Sequence, residues 1–135
     1  MKAMKTKAIK QKVFIPAKPE EVYEAYINPK KHSEFTGGKT TFENKEGGKF
    51  TAWDGYISGK NLKLEKGKKI VQEWKTTELP EGFPPSILEL IFKEKNGGTE
   101  LIMVHSKVPL GQVEMYRQGW IDYYWKPLRE YFENR

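Results

Sequence analysis

Few side chains in this 135-residue sequence have types and spacings suited to catalysis or metal binding. There is no cysteine, which excludes disulfides, thiolate zinc sites and cysteine nucleophiles. The two histidines, His32 and His105, are far apart and form no HxxxH or HxH pattern. No GxSxG elbow, phosphate-binding glycine loop or paired catalytic acid motif occurs. We therefore expect no catalytic residue, no metal and no cofactor.

The remaining titratable candidates favour structural roles. With strand alternation, His105 shares a face with Leu101 and Met103, which favours a hydrogen-bonded histidine in the core or at its rim. The alternative, a general base, would need a partner group that the spacing does not supply. Asp54 precedes a glycine, which is typical of a tight turn. Asp122 falls on the polar side of the last predicted helix, so we expect it to be solvated.

The most informative side chains are aromatic and lie near the C-terminus. At about 100° per residue, Tyr116, Trp120 and Tyr124 share one side of a helix predicted over residues 112–132. Two interpretations are open. Either Trp120 fills a concave sheet while Gly119 lets helix and strand approach closely, or these aromatics form one wall of a cavity for a small apolar ligand. The cavity candidates, strand residues included, are Trp74, Leu88, Leu90, Phe92, Met103, His105, Tyr116, Trp120 and Tyr124.

Three residues are candidates for contact with a protein partner. Trp125 lies about 140° around the same helix from Trp120, near the polar side. It is either core, if the first helix or strand covers it, or an exposed aromatic beside Arg129. Phe83 is the third candidate, at the tip of the proline-rich loop of residues 81–85, which is also a candidate lid over the cavity.

The elements that position these residues are a strand, short helical segments, a strand meander and the last helix. Ile9, Val13 and Ile15 alternate with lysines and predict a strand over residues 5–15. Pro19 suits the first turn of a helix that Asn28-Pro29 ends. Further strands are predicted near residues 40–44, 49–54, 56–65, 69–78, 86–94 and 99–107. Pro127 lacks an amide donor and should bend the closing helix.

This order predicts an α+β fold in which a curved antiparallel sheet of about six or seven strands wraps around a long C-terminal helix. We expect one domain over residues 1–135, with residues 1–4 as a disordered basic tail.

The net charge of +6 arises at the N-terminus. Residues 1–19 hold six lysines and no acids, and the rest of the chain carries 18 basic and 18 acidic residues. Only three arginines occur, all after residue 116, so we expect no nucleic-acid partner. No apolar run approaches the ~20 residues that span a bilayer, and no secretory signal is evident. We therefore expect no membrane association and a cytoplasmic location.

Several motifs follow one another in a characteristic order: Gly47-Gly48-Lys49-Phe50, Asp54-Gly55, Ser58-Gly59, Lys69-Ile70-Val71 with Trp74, Pro80-Glu81-Gly82, Lys95-Asn96-Gly97 with Thr99-Glu100-Leu101, and Arg117-Gln118-Gly119-Trp120 with Tyr123-Tyr124. This ordered set resembles the C-terminal domain of activators of the heat-shock protein 90 ATPase, over residues 5–132. The order of elements resembles the helix-grip fold of the START and polyketide-cyclase superfamily.

The resemblance implies a non-catalytic, co-chaperone-like or stress-response protein whose partner is a heat-shock protein 90 type chaperone. Eukaryotic members have a separate N-terminal domain that makes the main contact with the chaperone, and we expect this chain to lack it. Two alternatives remain: a binding or carrier protein for a small hydrophobic ligand, and a polyketide-cyclase-type enzyme. The second would require polar groups in the cavity, where His105 is the obvious candidate.

Overall fold

A computed structural model describes residues 5–134, so the tail predicted at residues 1–4 lies outside the described chain. Within that range the strands form one antiparallel sheet in the order β1-β7-β6-β5-β4-β3-β2. The strands are β1 (Thr6–Ile15), β2 (Thr41–Phe42), β3 (Lys49–Ala52), β4 (Ile57–Glu65), β5 (Lys69–Thr76), β6 (Ser86–Lys95) and β7 (Gly98–Pro109). The predicted α+β fold, with a curved sheet around a C-terminal helix, is confirmed.

Two short helices, α1 (Pro19–Ile27) and α2 (Pro29–Thr36), separate β1 from β2. Both begin with proline, whose missing amide hydrogen has no intrahelical acceptor at that position. The Asn28 side chain accepts a hydrogen bond from the Lys31 amide at 3.0 Å and so caps α2. The predicted stop at Asn28-Pro29 is therefore a junction between two helices.

The last helix runs from residue 110 to 133, and we call it the closing helix. It consists of a 3-10 turn (Leu110–Gln112), α3 (Val113–Trp120), a π turn (Ile121–Trp125) and α4 (Lys126–Glu133). The Lys126 amide donates to the Ile121 carbonyl, five residues earlier. The π turn ends two residues before Pro127, where the sequence predicted a bend, so the helix changes its hydrogen-bond pattern next to the proline.

The core lies between the inner face of the sheet and the helices. Along β6 and β7, alternate residues are buried, and Leu88, Leu90, Leu101 and Met103 are at most 2% exposed. Because strand side chains alternate between faces, these residues point toward the closing helix while their neighbours face solvent. Trp120 is 3% exposed and lies in the same core.

The turn between β3 and β4 differs from the prediction. The expected strand over residues 49–54 ends at Ala52, and Trp53 and Asp54 both have positive φ angles of 51° and 58°. The amide of Tyr56 donates to the Trp53 carbonyl at 3.1 Å and closes the turn. This turn carries two aromatic side chains, Trp53 and Tyr56, which lie beside the closing helix.

Candidate functional site

A pocket of about 450 Å³ opens between the closing helix, the β3–β4 turn and β5. This volume lies within the range of roughly 300–1,000 Å³ that is usual for small-molecule sites. Its lining is almost entirely aromatic and apolar: Trp53, Tyr56, Ile57, Trp74, Met115, Tyr116, Gly119, Trp120, Tyr123 and Tyr124. The pocket is therefore a concave apolar surface beside the closing helix, whose aromatic residues were among the predicted cavity candidates.

One wall of the pocket follows from helix spacing. Met115, Gly119 and Tyr123 are four residues apart, and all three line the pocket. A Cβ atom added at Gly119 would have Tyr123 Cδ2 as its nearest neighbour, at 4.0 Å. The prediction that Gly119 permits a close helix–strand approach is thus wrong. Its missing side chain leaves open space, and that space belongs to the pocket.

The inner wall consists of aromatic rings in mutual contact. Trp74 on β5 lies 5.3 Å from Tyr116 in an edge-to-face arrangement and 5.5 Å from Trp120, between ring centroids. Trp120 in turn lies 4.7 Å from Tyr124. At the outer side, Trp53 contacts Tyr123 edge-on at 5.7 Å. Such contacts hold the rings in fixed orientations, so we infer that the pocket is largely preformed.

Hydroxyl groups and a carboxylate lie at the end of the pocket where Tyr56 and Tyr116 meet. The Tyr56 hydroxyl donates to the Glu78 carboxylate, and the Tyr116 hydroxyl pairs with Thr76 Oγ1 at 2.6 Å. Burial and the hydrogen bond to Glu78 raise the pKa of Tyr56 to about 12, and burial raises the pKa of Tyr116. Both tyrosines are therefore neutral at pH 7. The Gln112 amide also binds here, donating to the Glu78 carbonyl oxygen at 2.7 Å.

His105 is buried and lies behind the pocket wall, outside the pocket lining. Ser86 Oγ donates to the Trp74 carbonyl oxygen, so it accepts from His105 Nε2 at 2.7 Å. His105 Nδ1 accepts from Trp120 Nε1 at 3.1 Å. Both ring nitrogens are thus engaged by a neutral imidazole. Burial lowers the pKa of His105 to about 3, because the charged form would lose its hydration.

His32 is buried like His105 and also has a hydrogen-bond partner at each ring nitrogen, which no sequence pattern predicted. Its Nδ1 donates to the Tyr26 carbonyl oxygen at 2.8 Å, and its Nε2 accepts from the hydroxyl of Tyr124 at 3.0 Å. Burial lowers the pKa of His32 to about 4, partly offset by the bond to Tyr26. His32 therefore fixes the orientation of Tyr124, which lines the pocket. Neither histidine is placed to exchange protons with a molecule in it.

The predicted cavity candidates divide into two groups. Trp74, Tyr116, Trp120 and Tyr124 line the pocket, so the predicted helix wall is present, but Trp74 alone represents the predicted strand wall. The remaining candidates are buried but lie outside its lining: Leu88, Leu90, Phe92, Met103 and His105. They pack the core beneath the inner wall.

Trp125 is not available as a partner contact, because it is 5% exposed. Its ring stacks on Trp120 with centroids 5.3 Å apart, and its Nε1 donates to Gln11 Oε1 at 2.6 Å. In a π turn, residues five positions apart, such as Trp120 and Trp125, lie on the same side of the helix. The sequence prediction used the α-helical angle of about 100° per residue, which placed the two tryptophans about 140° apart. The other two candidates are accessible: Phe83 is half-buried, and Arg129 is exposed.

Six pocket residues were not among the predicted cavity candidates: Trp53, Tyr56, Ile57, Met115, Gly119 and Tyr123. A usable signal existed for two of them, since aromatic residues flank the turn dipeptide Asp54-Gly55. Met115 and Tyr123 are 46% and 59% exposed, and their spacing from Gly119 was the corresponding signal on the helix.

Residues 5–134 contain no group of three or more metal-ligating side chains. Over the same range, no helix is long and apolar enough to cross a membrane.

The sheet, the closing helix and the aromatic pocket define a helix-grip protein. The chain belongs to the family described as activator of Hsp90 ATPase homolog 1-like proteins, whose model matches residues 16–133. This match spans the helices, all strands after β1, and the closing helix.

Similar proteins carry related names. Residues of this chain are 38% identical over 114 positions to human activator of 90 kDa heat shock protein ATPase homolog 1, covering 84% of this chain and 33% of that protein. The homologue from Dictyostelium discoideum is 32% identical, with 85% and 30% covered. The chain thus spans about a third of the length of these relatives. The structure of an HSP90 activator from Plasmodium falciparum superimposes with a TM-score of 0.77 at 24% identity, covering 88% of this chain and 89% of that one.

Proposed function

We propose that this protein is a non-catalytic, co-chaperone-like partner of a heat-shock protein 90 type chaperone, acting in the cytoplasm and in stress responses. The observation that carries the proposal is the family match over residues 16–133, together with relatives named as activators of the chaperone's ATPase. The neutral, fully engaged states of His32 and His105 support a role without acid–base chemistry.

The accessible partner candidates lie on different elements. Phe83 is at the tip of the loop between β5 and β6, and Arg129 is on α4, 3.8 Å from Glu133. Aromatic residues, phenylalanine included, and arginine are enriched in protein interfaces. We expect the chaperone to contact at least one of these two positions.

The test is a pull-down and an ATPase assay with the chaperone of the source organism. We expect this protein to bind and to change the ATPase rate, with weaker binding for Phe83→Ala and Arg129→Glu. Matched controls are Leu62→Ala, an exposed leucine on β4, and Lys93→Glu, an exposed lysine on β6. A genome without such a chaperone, or equal binding by candidates and controls, would contradict the proposal.

A second candidate function is the binding or carriage of a small apolar ligand, which the pocket of about 450 Å³ supports. Native mass spectrometry of freshly purified protein tests it directly, because a bound molecule adds a discrete mass. The matched variant is Gly119→Leu, whose side chain would occupy the pocket. An added mass that persists in this variant would place the ligand elsewhere. A cyclase-type enzyme is not proposed, since His105 lies outside the pocket lining.

A further inference from the structure

The absence of charge on the pocket walls restricts what can bind. None of the lining residues is Lys, Arg, Asp or Glu, and neither histidine is among them. An ion that entered would lose hydration without gaining an ion pair, which is unfavourable. A carboxylate would in addition approach Glu78, which binds Tyr56 at one end of the pocket. These features select an uncharged ligand.

The arrangement of rings favours a flat ligand. Seven of the lining residues are Trp or Tyr, and the inner wall presents Trp74 and Trp120 with their planes inclined by only 36°. The outer side presents Trp53 and Tyr123, at 75° to each other. Aromatic rings gain most from offset-stacked and edge-to-face contacts, which another aromatic ring provides on both sides. An aliphatic chain would fill the same volume without these contacts.

The polar end specifies one further feature of the ligand. The Glu78 carboxylate can only accept hydrogen bonds, and the Tyr56 hydroxyl already donates its hydrogen to it. The Tyr56 oxygen, which the hydroxyls of Thr76 and Tyr116 also approach, therefore offers only acceptor capacity, while Tyr116 and Thr76 pair with each other at 2.6 Å. A ligand group that donates a hydrogen bond suits this end better than one that only accepts.

We propose that the pocket binds a neutral, flat aromatic molecule that carries a hydroxyl or N–H donor, the chemical class of phenols, naphthols and indoles. The proposal rests on the second function above and adds the class of its ligand. The donor lies toward Tyr56, and the rings lie between the inner wall and the β3–β4 turn.

The test uses calorimetric titration at pH 7 with three matched probes: naphthol, its methyl ether and naphthoate. Naphthol supplies the rings and the donor, the ether keeps the rings without the donor, and naphthoate adds a negative charge. We expect naphthol to bind about three- to tenfold more tightly than the ether, the effect of one hydrogen bond. Naphthoate should bind more weakly than both.

Variants assign the binding to this pocket. Gly119→Leu should abolish naphthol binding by filling the space, while Gly111→Leu, the same change in the adjacent 3-10 turn and outside the lining, should bind normally. Tyr56→Phe should remove the preference for naphthol over its ether and leave ether binding unchanged. Circular dichroism and thermal unfolding establish that each variant is folded.

The outcomes separate the ligand class from the function itself. Equal binding of naphthol and its ether, lost in Gly119→Leu, would overturn the donor requirement while leaving a ligand-binding pocket. Preferential binding of naphthoate or of an organic cation would overturn the neutral class. Absence of binding by all three probes overturns the proposal. Native mass spectrometry then decides separately whether the pocket holds any apolar ligand.

Discussion

At the scale of single residues, His105 links three parts of the core through its two ring nitrogens. It lies on β7, donates to Ser86 on β6 and accepts from Trp120 of the closing helix. Because the site is fully buried, no water is available to replace either partner. The histidine therefore fixes the position of Trp120, and through it the inner wall of the pocket.

We expect His105→Phe to lower the free energy of unfolding by about 2–4 kcal/mol, because an aromatic ring fills the space but leaves the Trp120 N–H and the Ser86 hydroxyl with one partner fewer each. Urea unfolding at pH 7 measures this. Tyr123→Phe is the control, since Tyr123 is 59% exposed and a surface change of this kind usually stays within about 0.5 kcal/mol. Equal stability of the two variants would contradict a structural role for His105.

At the scale of elements, the closing helix shows what a sequence pattern can and cannot predict. Its existence, its bounds near residues 112–132 and the burial of Trp120 follow from hydrophobic periodicity. That periodicity assumes a constant angle per residue. The π turn at residues 121–125 breaks this assumption, so Trp125 was assigned to the polar boundary although it stacks on Trp120.

The pocket was only partly predictable for a different reason. Periodicity shows which side of an element is buried, so four of the lining aromatics could be found. Periodicity does not show where a cavity remains, because a cavity forms where the side chains of two neighbouring elements do not pack against each other. Gly119 illustrates this: a helical glycine indicates either close packing or open space, and only the structure distinguishes them. The dipeptide Asp54-Gly55 marks a turn beside Trp53 and Tyr56, but only the structure shows that this turn meets the closing helix.

Two glycines give opposite predictions for the same substitution. Gly119→Ala should raise the free energy of unfolding by up to about 1 kcal/mol, since alanine is the better helix former and its Cβ has room. Gly59→Ala on β4 should destabilise the protein by about 3 kcal/mol or fold poorly, because its Cβ would overlap the Glu73 carbonyl oxygen on β5. Thermal and urea unfolding of both variants provide the comparison. Destabilisation by Gly119→Ala would show that the space beside Gly119 is not open.

At the scale of the whole molecule, acid stability depends on two neutral histidines. His32 binds Tyr124 and His105 binds Trp120, and those two aromatic rings are in contact at 4.7 Å. The two histidines therefore support adjacent parts of one wall from different elements, α2 and β7. Protonation of either would place a charge in the core without a counterion, which opposes folding.

The folded-state pKa values of about 4 for His32 and about 3 for His105 lie below the ordinary value of 6.5. Below pH 6.5 the unfolded chain takes up protons that the folded chain does not, so the folded state loses stability as the pH falls toward these values. From pH 7 to pH 5 the free energy of unfolding should fall by about 2 kcal/mol per histidine. The lowered pKa values of the surface carboxyls of Glu65 and Glu100 place their titration below this window.

Urea unfolding at pH 7, 6 and 5 measures the loss, which should total about 4 kcal/mol for the two histidines. His32→Gln and His105→Gln keep a polar side chain that cannot be protonated, so each should remove about half of the pH dependence even if it lowers stability at pH 7. Lys75→Gln, at an exposed lysine on β5, is the control and should leave the dependence unchanged. A double histidine variant that still lost about 4 kcal/mol would assign the acid sensitivity to other groups, and the buried imidazoles would then not be what limits stability below pH 6.5.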